Sequence, residues 1–295
     1  MIVVLIKGGI GNQLFQYALA ITLRKEHKSE VYINLDFYSG AMLFVREPIN
    51  LQNNLQLFQQ FQEIQINLIS RLNKKLKFSK FKYLVYLLNE RLGNYLCEDS
   101  QFGFRSVFLK RDLKYVVIDG YFSDYRYIIN GLDSVKGAFE KLIKNKNIDY
   151  DNFIAMHIRR GDYAAIMRSK NKSNILNILY YKKSLEHLKE LYNIDKIRVF
   201  TDDYKWAKIE LPLIFNNYIL DFSPEQFTDV DSLWSISKHE YLICANSTFS
   251  LWAYYFGMND IKQAIFPKEW VNSIEEKGYD LFNREILNIK LVDEE

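Results

Sequence analysis

Ile2-Val3-Val4-Leu5-Ile6-Lys7-Gly8-Gly9-Ile10-Gly11-Asn12-Gln13 opens the chain after Met1, and its reading decides the fold class. The apolar, mostly β-branched run is a buried strand in pattern, too short for a signal sequence or a membrane span. The glycine-rich stretch from Lys7 to Asn12 reads as a turn, and Gln13 to His27 carries Leu14, Ala18, Ile21 and Leu23 at helical spacing. Val31-Tyr32-Ile33-Asn34-Leu35-Asp36 is a second strand in pattern. Strand, turn, helix and strand make a βαβ unit, whose crossover calls for a parallel sheet with helices on its faces.

Working outward, the text from about Pro48 to Gly93 changes to Gln, Asn, Lys and Leu/Phe mixtures and predicts inserted helices. Its basic, aromatic segments at 71–78 and 80–88 suit either a helix packed on the lobe or peripheral contact with an anionic membrane. Val116-Val117-Ile118-Asp119-Gly120-Tyr121-Phe122 reads as a strand and turn closing a first lobe, residues 1–145, with 141–147 as a polar linker. Residues 146–295 then alternate strand and helix again. Strands are expected at 152–158, 197–200, 240–245 and 263–266, and helices at 180–191 and 233–238. The expectation is an α/β chain of two Rossmann-like lobes with a cleft between them, at the carboxyl ends of the sheets.

Composition narrows the classes. At 295 residues, 48% hydrophobic and 25% charged, the chain has ordinary globular composition, and its 46 aromatic residues (21 Tyr, 21 Phe, 4 Trp) are core material. A net charge of +3 is too slight to imply nucleic acid. Cys97 and Cys244 form neither a disulfide framework nor a metal-ligand spacing. No window of about 18 apolar residues predicts a membrane span, so the expected location is cytoplasmic.

Three clusters could carry chemistry. In the first, Gly9 and Gly11 let backbone N–H groups approach an anion at a helix start, with Asn12 and Gln13 adding amides that suit sugar hydroxyls. A dinucleotide fingerprint would need glycine where Leu14 stands, although Asp36 lies where a ribose-binding acid would, so a nicotinamide-dependent oxidoreductase stays open. The second, His157-Ile158-Arg159-Arg160-Gly161-Asp162-Tyr163, follows an apolar strand. An arginine fork there suits bidentate capture of a phosphate, making Arg159 the leading candidate, while Arg160 is expected to pair with Asp162 and fix the turn. The third, Asn246-Ser247-Thr248-Phe249-Ser250, is a hydroxyl-rich helix start able to cap itself or hold a pyrophosphate. Asp202, at a strand end, could accept from a base or ribose or serve a turn. The pair Asp229 and Asp231 reads as helix-start charge, and no metal is expected. His157 and Asp162 are the candidates for a general base.

The glycine block continuing through Leu14-Phe15-Gln16-Tyr17-Ala18, the His157–Tyr163 block, and Lys238-His239 through Leu251-Trp252 resemble, in order, the motifs of the family 11 α-1,2-fucosyltransferases. The middle motif is shared with α-1,6- and protein O-fucosyltransferases. The resemblance implies a GT-B-like fold, an acceptor-side N-terminal lobe and a C-terminal lobe that binds GDP-fucose. It also implies inversion at the anomeric carbon, no metal, and transfer to O2 of galactose in an oligosaccharide or lipid-linked glycan of surface polysaccharide. By that resemblance Arg159 holds the β-phosphate, His157 lies near the nucleoside, Asn12 faces fucose, and Ser247, Thr248 and Phe249 surround phosphate and sugar. The last block departs from the family, with Leu251-Trp252-Ala253-Tyr254 where two tryptophans and Gly-Ala are common.

Overall fold

The computed structural model describes residues 1–27, 30–35, 95–97, 104–106, 116–143, 153–161, 175–282 and 288–293. The expected helical insertion at 48–93, Asp36, and Asp162 with its turn partner role all lie outside these residues. The chain divides into two compact units, Met1–Lys144 with Lys277–Phe282, and Asn145–Glu276 with Asn283–Glu295.

In the first unit, β1 (Ile2–Leu5), β2 (Val31–Asn34), β3 (Tyr95–Cys97) and β4 (Val116–Asp119) form an all-parallel sheet in the order β2-β1-β4-β3. Helix α1 (Ile10–Glu26) begins three residues before its predicted start, because Gly9 is its N-cap and Gly11 and Asn12 are already helical. It is buried almost throughout, with Leu14, Phe15, Ala18, Leu19, Ala20 and Leu23 at 0% exposure, so its face is wider than an amphipathic stripe. Helices α2 (Tyr125–Ile128) and α3 (Leu132–Ile143) pack against it. Residues 141–143 end α3, so the predicted linker does not begin at Lys141. Buried Asp124 ties residues 277–282 to this unit: its Oδ1 accepts the Arg126 N–H (2.9 Å), its Oδ2 accepts the Asp280 N–H (2.6 Å), and the Tyr125 N–H donates to the Asp280 carbonyl (2.7 Å). A segment distant in sequence thus satisfies the first turn of α2.

The second unit holds β5 (Ile154–Ile158), β6 (Lys196–Thr201), β7 (Ile219–Phe222), β8 (Tyr241–Ile243), β9 (Gln263–Pro267) and β10 (Ile289–Val292) in one parallel sheet, ordered β10-β9-β8-β5-β6-β7. Edge strands β7 and β10 escaped the sequence reading because each is only four residues long and broken by a charged residue, as in Ile219-Leu220-Asp221-Phe222. Helices α4 (Ile178–Tyr192), α5 (Tyr204–Ile214), α6 (Asp229–Ile236), α7 (Thr248–Gly257) and α8 (Lys268–Glu275) connect them. Ile154, Met156, Ile197, Val199, Ile243 and Ile265 form the sheet's share of a core closed by Tyr180, Leu185 and Leu188 of α4. Helix α6 starts earlier than predicted through a capping box. Thr228 accepts the Asp231 N–H (3.2 Å) and Asp231 accepts the Thr228 N–H (3.0 Å), which explains that carboxylate as a cap. Trp252, Ala253 and Tyr254, where the sequence departs from the family pattern, are at most 1% exposed and serve the core of α7.

Candidate functional site

In a parallel sheet, ligands favour the place where the chain winds from one strand toward both sides, because the loops leaving neighbouring strand ends then diverge. In the second unit that place lies between β5 and β8, since β6 and β7 follow on one side of β5 and β8, β9 and β10 on the other. The loops leaving there are 159–161 and 244–247, which carry two of the three clusters singled out in the sequence.

His157, the last but one residue of β5, is 6% exposed. Its Nδ1 lies 2.7 Å from Ser250 Oγ, and its ring stands 5.0 Å from the Phe249 ring. Burial foremost, then the charge of Arg159, lowers the imidazole from 6.5 to about 4, against a weaker upward pull from Asp202. His157 is therefore uncharged near neutral pH, the form from which a general base starts.

Arg159 and Asp202 form an ion pair, Nε to Oδ2, at 3.2 Å, with side-chain exposures of 20% and 9%. The other carboxylate oxygen of Asp202 accepts the backbone N–H of Arg160 (2.8 Å) and of Gly161 (2.9 Å). Burial by itself would raise the Asp202 carboxyl, but Arg159, the two backbone donors and His157 together hold it below the ordinary carboxylate value. Asp202 is thus committed to shaping the loop after β5. This is the turn use that the sequence left open beside a base or ribose contact, and it follows from the register that sets Ile158 against Thr201 and brings the two strand ends side by side.

The expected pairing of Arg160 with Asp162 lies outside the described residues. The Arg160 guanidinium stacks 3.7 Å over the Trp206 ring and its Nε lies 3.4 Å from Asp203 Oδ2. Asp203 also caps α5 by accepting the Trp206 N–H at 3.2 Å. On the β8 side, Ser247 is the N-cap of α7, accepting the Phe249 N–H at 3.2 Å, and Asn246 and Thr248 flank it. Ser250 accepts the Ala245 N–H at 3.1 Å.

The first unit has its own switch point, between β1 and β4. Gly8 takes φ 83°, a conformation that favours glycine, and a Cβ there would meet Asn12 Nδ2 at 2.8 Å. Gln13 is 2% exposed and donates to the Gly8 carbonyl at 3.0 Å, so its amide braces the turn. Gln16 is fully buried, accepting the Lys7 N–H and donating to the Gly120 carbonyl, both at 2.8 Å. Lys7 Nζ pairs with Asp119 Oδ1 at 2.5 Å and lies 4.9 Å above the Tyr121 ring. Gly9 is exposed, and Gly11 is buried within the helix start.

The model of one sequence family, glycosyl transferase family 11, matches residues 1–289. The chain belongs to glycosyl transferase family 11. Among similar family members, an alpha-1,2-colitosyltransferase of Escherichia coli is 27% identical over 295 residues, 95% of this chain and 96% of that protein. The O-antigen biosynthesis glycosyltransferase WbnK of Escherichia coli is 25% identical over 288 residues, 90% of this chain and 93% of that protein. A crystal structure of the fucosyltransferase NodZ from Bradyrhizobium aligns with a TM-score of 0.48 and 10% identity, covering 90% of this chain and 94% of that one. The two parallel α/β units agree with the fold class expected for this family 11 chain.

Among the described residues, no three His, Cys, Asp or Glu side chains gather as metal ligands, and no helix is long and apolar enough to cross a membrane. The sequence reading missed Ser250, Trp206 and Asp203 as partners of the His157–Gly161 block, and Gln16 and the Lys7–Asp119 pair beside the glycine turn. Only Asp203 carried a signal, standing next to Asp202 at a strand end; the other contacts join residues far apart in sequence.

Proposed function

We propose that the chain transfers L-fucose from GDP-fucose, with inversion, to O2 of galactose in a glycan acceptor of surface polysaccharide. The observation that carries this reading is the Arg159–Asp202 pair at the end of β5, beside the diverging β8 loop. As the bond from the anomeric carbon to the diphosphate breaks, negative charge grows on the β-phosphate while positive charge spreads over the sugar ring. A guanidinium held along its Nε edge by Asp202 meets that charge without having to reorganise, and such preorganised donors are typically worth about 2.7–4 kcal/mol. The N-terminal end of α7, with Ser247 and Thr248, supplies a further anion-favouring surface. Asn246 and Phe249 complete the donor loop in this reading. The family motif assigns Asn12, with Gly9 and Gly11, to the sugar side, and Asn12→Ala tests that assignment separately. Asp162 and His157 are the candidate bases, and a base is dispensable if departure of the diphosphate runs well ahead of acceptor attack.

The expected acceptor, a galactose-containing oligosaccharide or lipid-linked glycan, is supported by the family and by the O-antigen relative. The test is incubation with GDP-fucose and a panel of β-galactosides in the presence of EDTA, followed by linkage analysis. Fucose on O2 of galactose supports the reading with metal independence; a product of another linkage, or none, ends it. A second reading keeps the α-1,2 linkage and changes the sugar to colitose, as the 27% identical relative favours. Competition between the two GDP-sugars on one acceptor separates these readings.

A further inference from the structure

We propose that Ser250 is a positioning residue for His157: its hydroxyl donates to Nδ1 and so holds the imidazole in the tautomer that carries its hydrogen on Nε2, as a hydrogen-bond donor to the nucleotide sugar. The inference rests on the reading that this site takes a GDP-sugar. It follows from counting hydrogens. Ser250 is 0% exposed, and among the described residues its Oγ has two polar neighbours, the Ala245 N–H at 3.1 Å and His157 Nδ1 at 2.7 Å. A backbone N–H can only donate, so it takes one lone pair of Oγ. If Nδ1 also donated to Oγ, the single hydroxyl hydrogen would be buried with no acceptor, which buried polar groups avoid. The arrangement that satisfies all three groups has the hydroxyl donating to Nδ1, which puts the ring hydrogen on Nε2.

Both partners are held in place. Ser250 sits in the first turn of α7, whose N-cap is Ser247, and His157 is fixed within β5 and flanked by the Phe249 ring. The charged groups that act on the imidazole are Arg159 and Asp202, and with burial they leave it neutral near pH 7. A ring next to Arg159 that donates through Nε2 without a second positive charge suits an oxygen of the nucleoside or diphosphate. Serine at position 250 is therefore read as the residue that decides which nitrogen donates.

The test uses the full chain with 15N-labelled histidine and long-range proton–nitrogen correlation. His157 is assigned against His27, His187 and His239 by the loss of its signals in His157→Gln. The expected spectrum has His157 as the Nε2–H tautomer, unchanged between about pH 6 and 8. Ser250→Ala is expected to convert that signal to a tautomer mixture and to weaken GDP binding, by calorimetry, about three- to tenfold. In a His157→Gln background the same change should have no further effect. A wild-type spectrum with hydrogen on Nδ1 overturns the proposal even if Ser250→Ala fails to fold, and so does unchanged GDP affinity in a folded Ser250→Ala. Failure of the wild-type chain to bind GDP would instead remove the donor reading and, with it, the ligand half of the proposal, while the spectrum still reports on the Ser250–His157 bond.

Discussion

The Asp202 carboxylate stands where a side chain on Gly161 would begin: a Cβ at position 161 would lie 2.9 Å from Asp202 Oδ2 and 3.1 Å from its Cγ. Because that carboxylate also takes the Arg160 and Gly161 N–H groups, it cannot swing aside without losing partners. Gly161→Ala should therefore destabilise the chain by about 1–3 kcal/mol and lower transfer by displacing the Arg159 anchor. Thermal melts and kcat/KM check both. An unchanged melt with full activity would show that the loop has room to yield.

Arg159→Ala, and nearly as much Arg159→Lys, should cut transfer at least about 100-fold without unfolding the chain. Lysine keeps the charge but loses the planar Nε edge that meets Asp202 at 3.2 Å. Turnover near wild type in either variant would refute the role.

Arg160 offers the internal control. Its guanidinium is spent on Trp206 and Asp203, so Arg160→Lys or Trp206→Leu should cost about 0.5–2 kcal/mol of stability. The accompanying loss of transfer should be far smaller than for Arg159→Ala. A loss as large as that of Arg159→Ala would mean that both arginines serve the ligand.

His157 makes stability depend on pH in a stated direction. Its folded value of about 4 lies below the ordinary 6.5, so the unfolded chain binds the extra proton between the two. Its contribution is fully present above about pH 6.5 and is lost as pH falls toward 4, reaching on the order of 3 kcal/mol. Denaturant unfolding of wild type and His157→Gln across that window should show a steeper fall for wild type; parallel curves would contradict it.

Gln16 braces the glycine turn with two buried hydrogen bonds. Gln16→Leu leaves the Lys7 N–H and the Gly120 carbonyl without their partner and should cost about 2 kcal/mol or more. Gln13→Leu should cost less, since it releases the Gly8 carbonyl alone.

Much of the architecture was legible because buried parallel strands and buried helices announce themselves by apolar runs, as in Ile154-Ala155-Met156-His157-Ile158 and Leu14 to Leu23. Several misses were boundary and edge effects. Gly9 starts α1 early, Thr228 starts α6 early, and the four-residue edge strands β7 and β10 bury too little to leave a pattern.

The sequence alone determined the parallel α/β class, the family, and which short blocks follow their strands, since these depend on residues close together along the chain. Only the tertiary structure decided what each polar group does there. Asp202 turns to Arg159 and the backbone of residues 160 and 161, Arg160 to Trp206, His157 to Ser250, and Gln16 to Gly120. Hydrogen bonds and ion pairs are set by distances of a few ångströms, and those distances follow from strand register and helix packing between segments up to about a hundred residues apart.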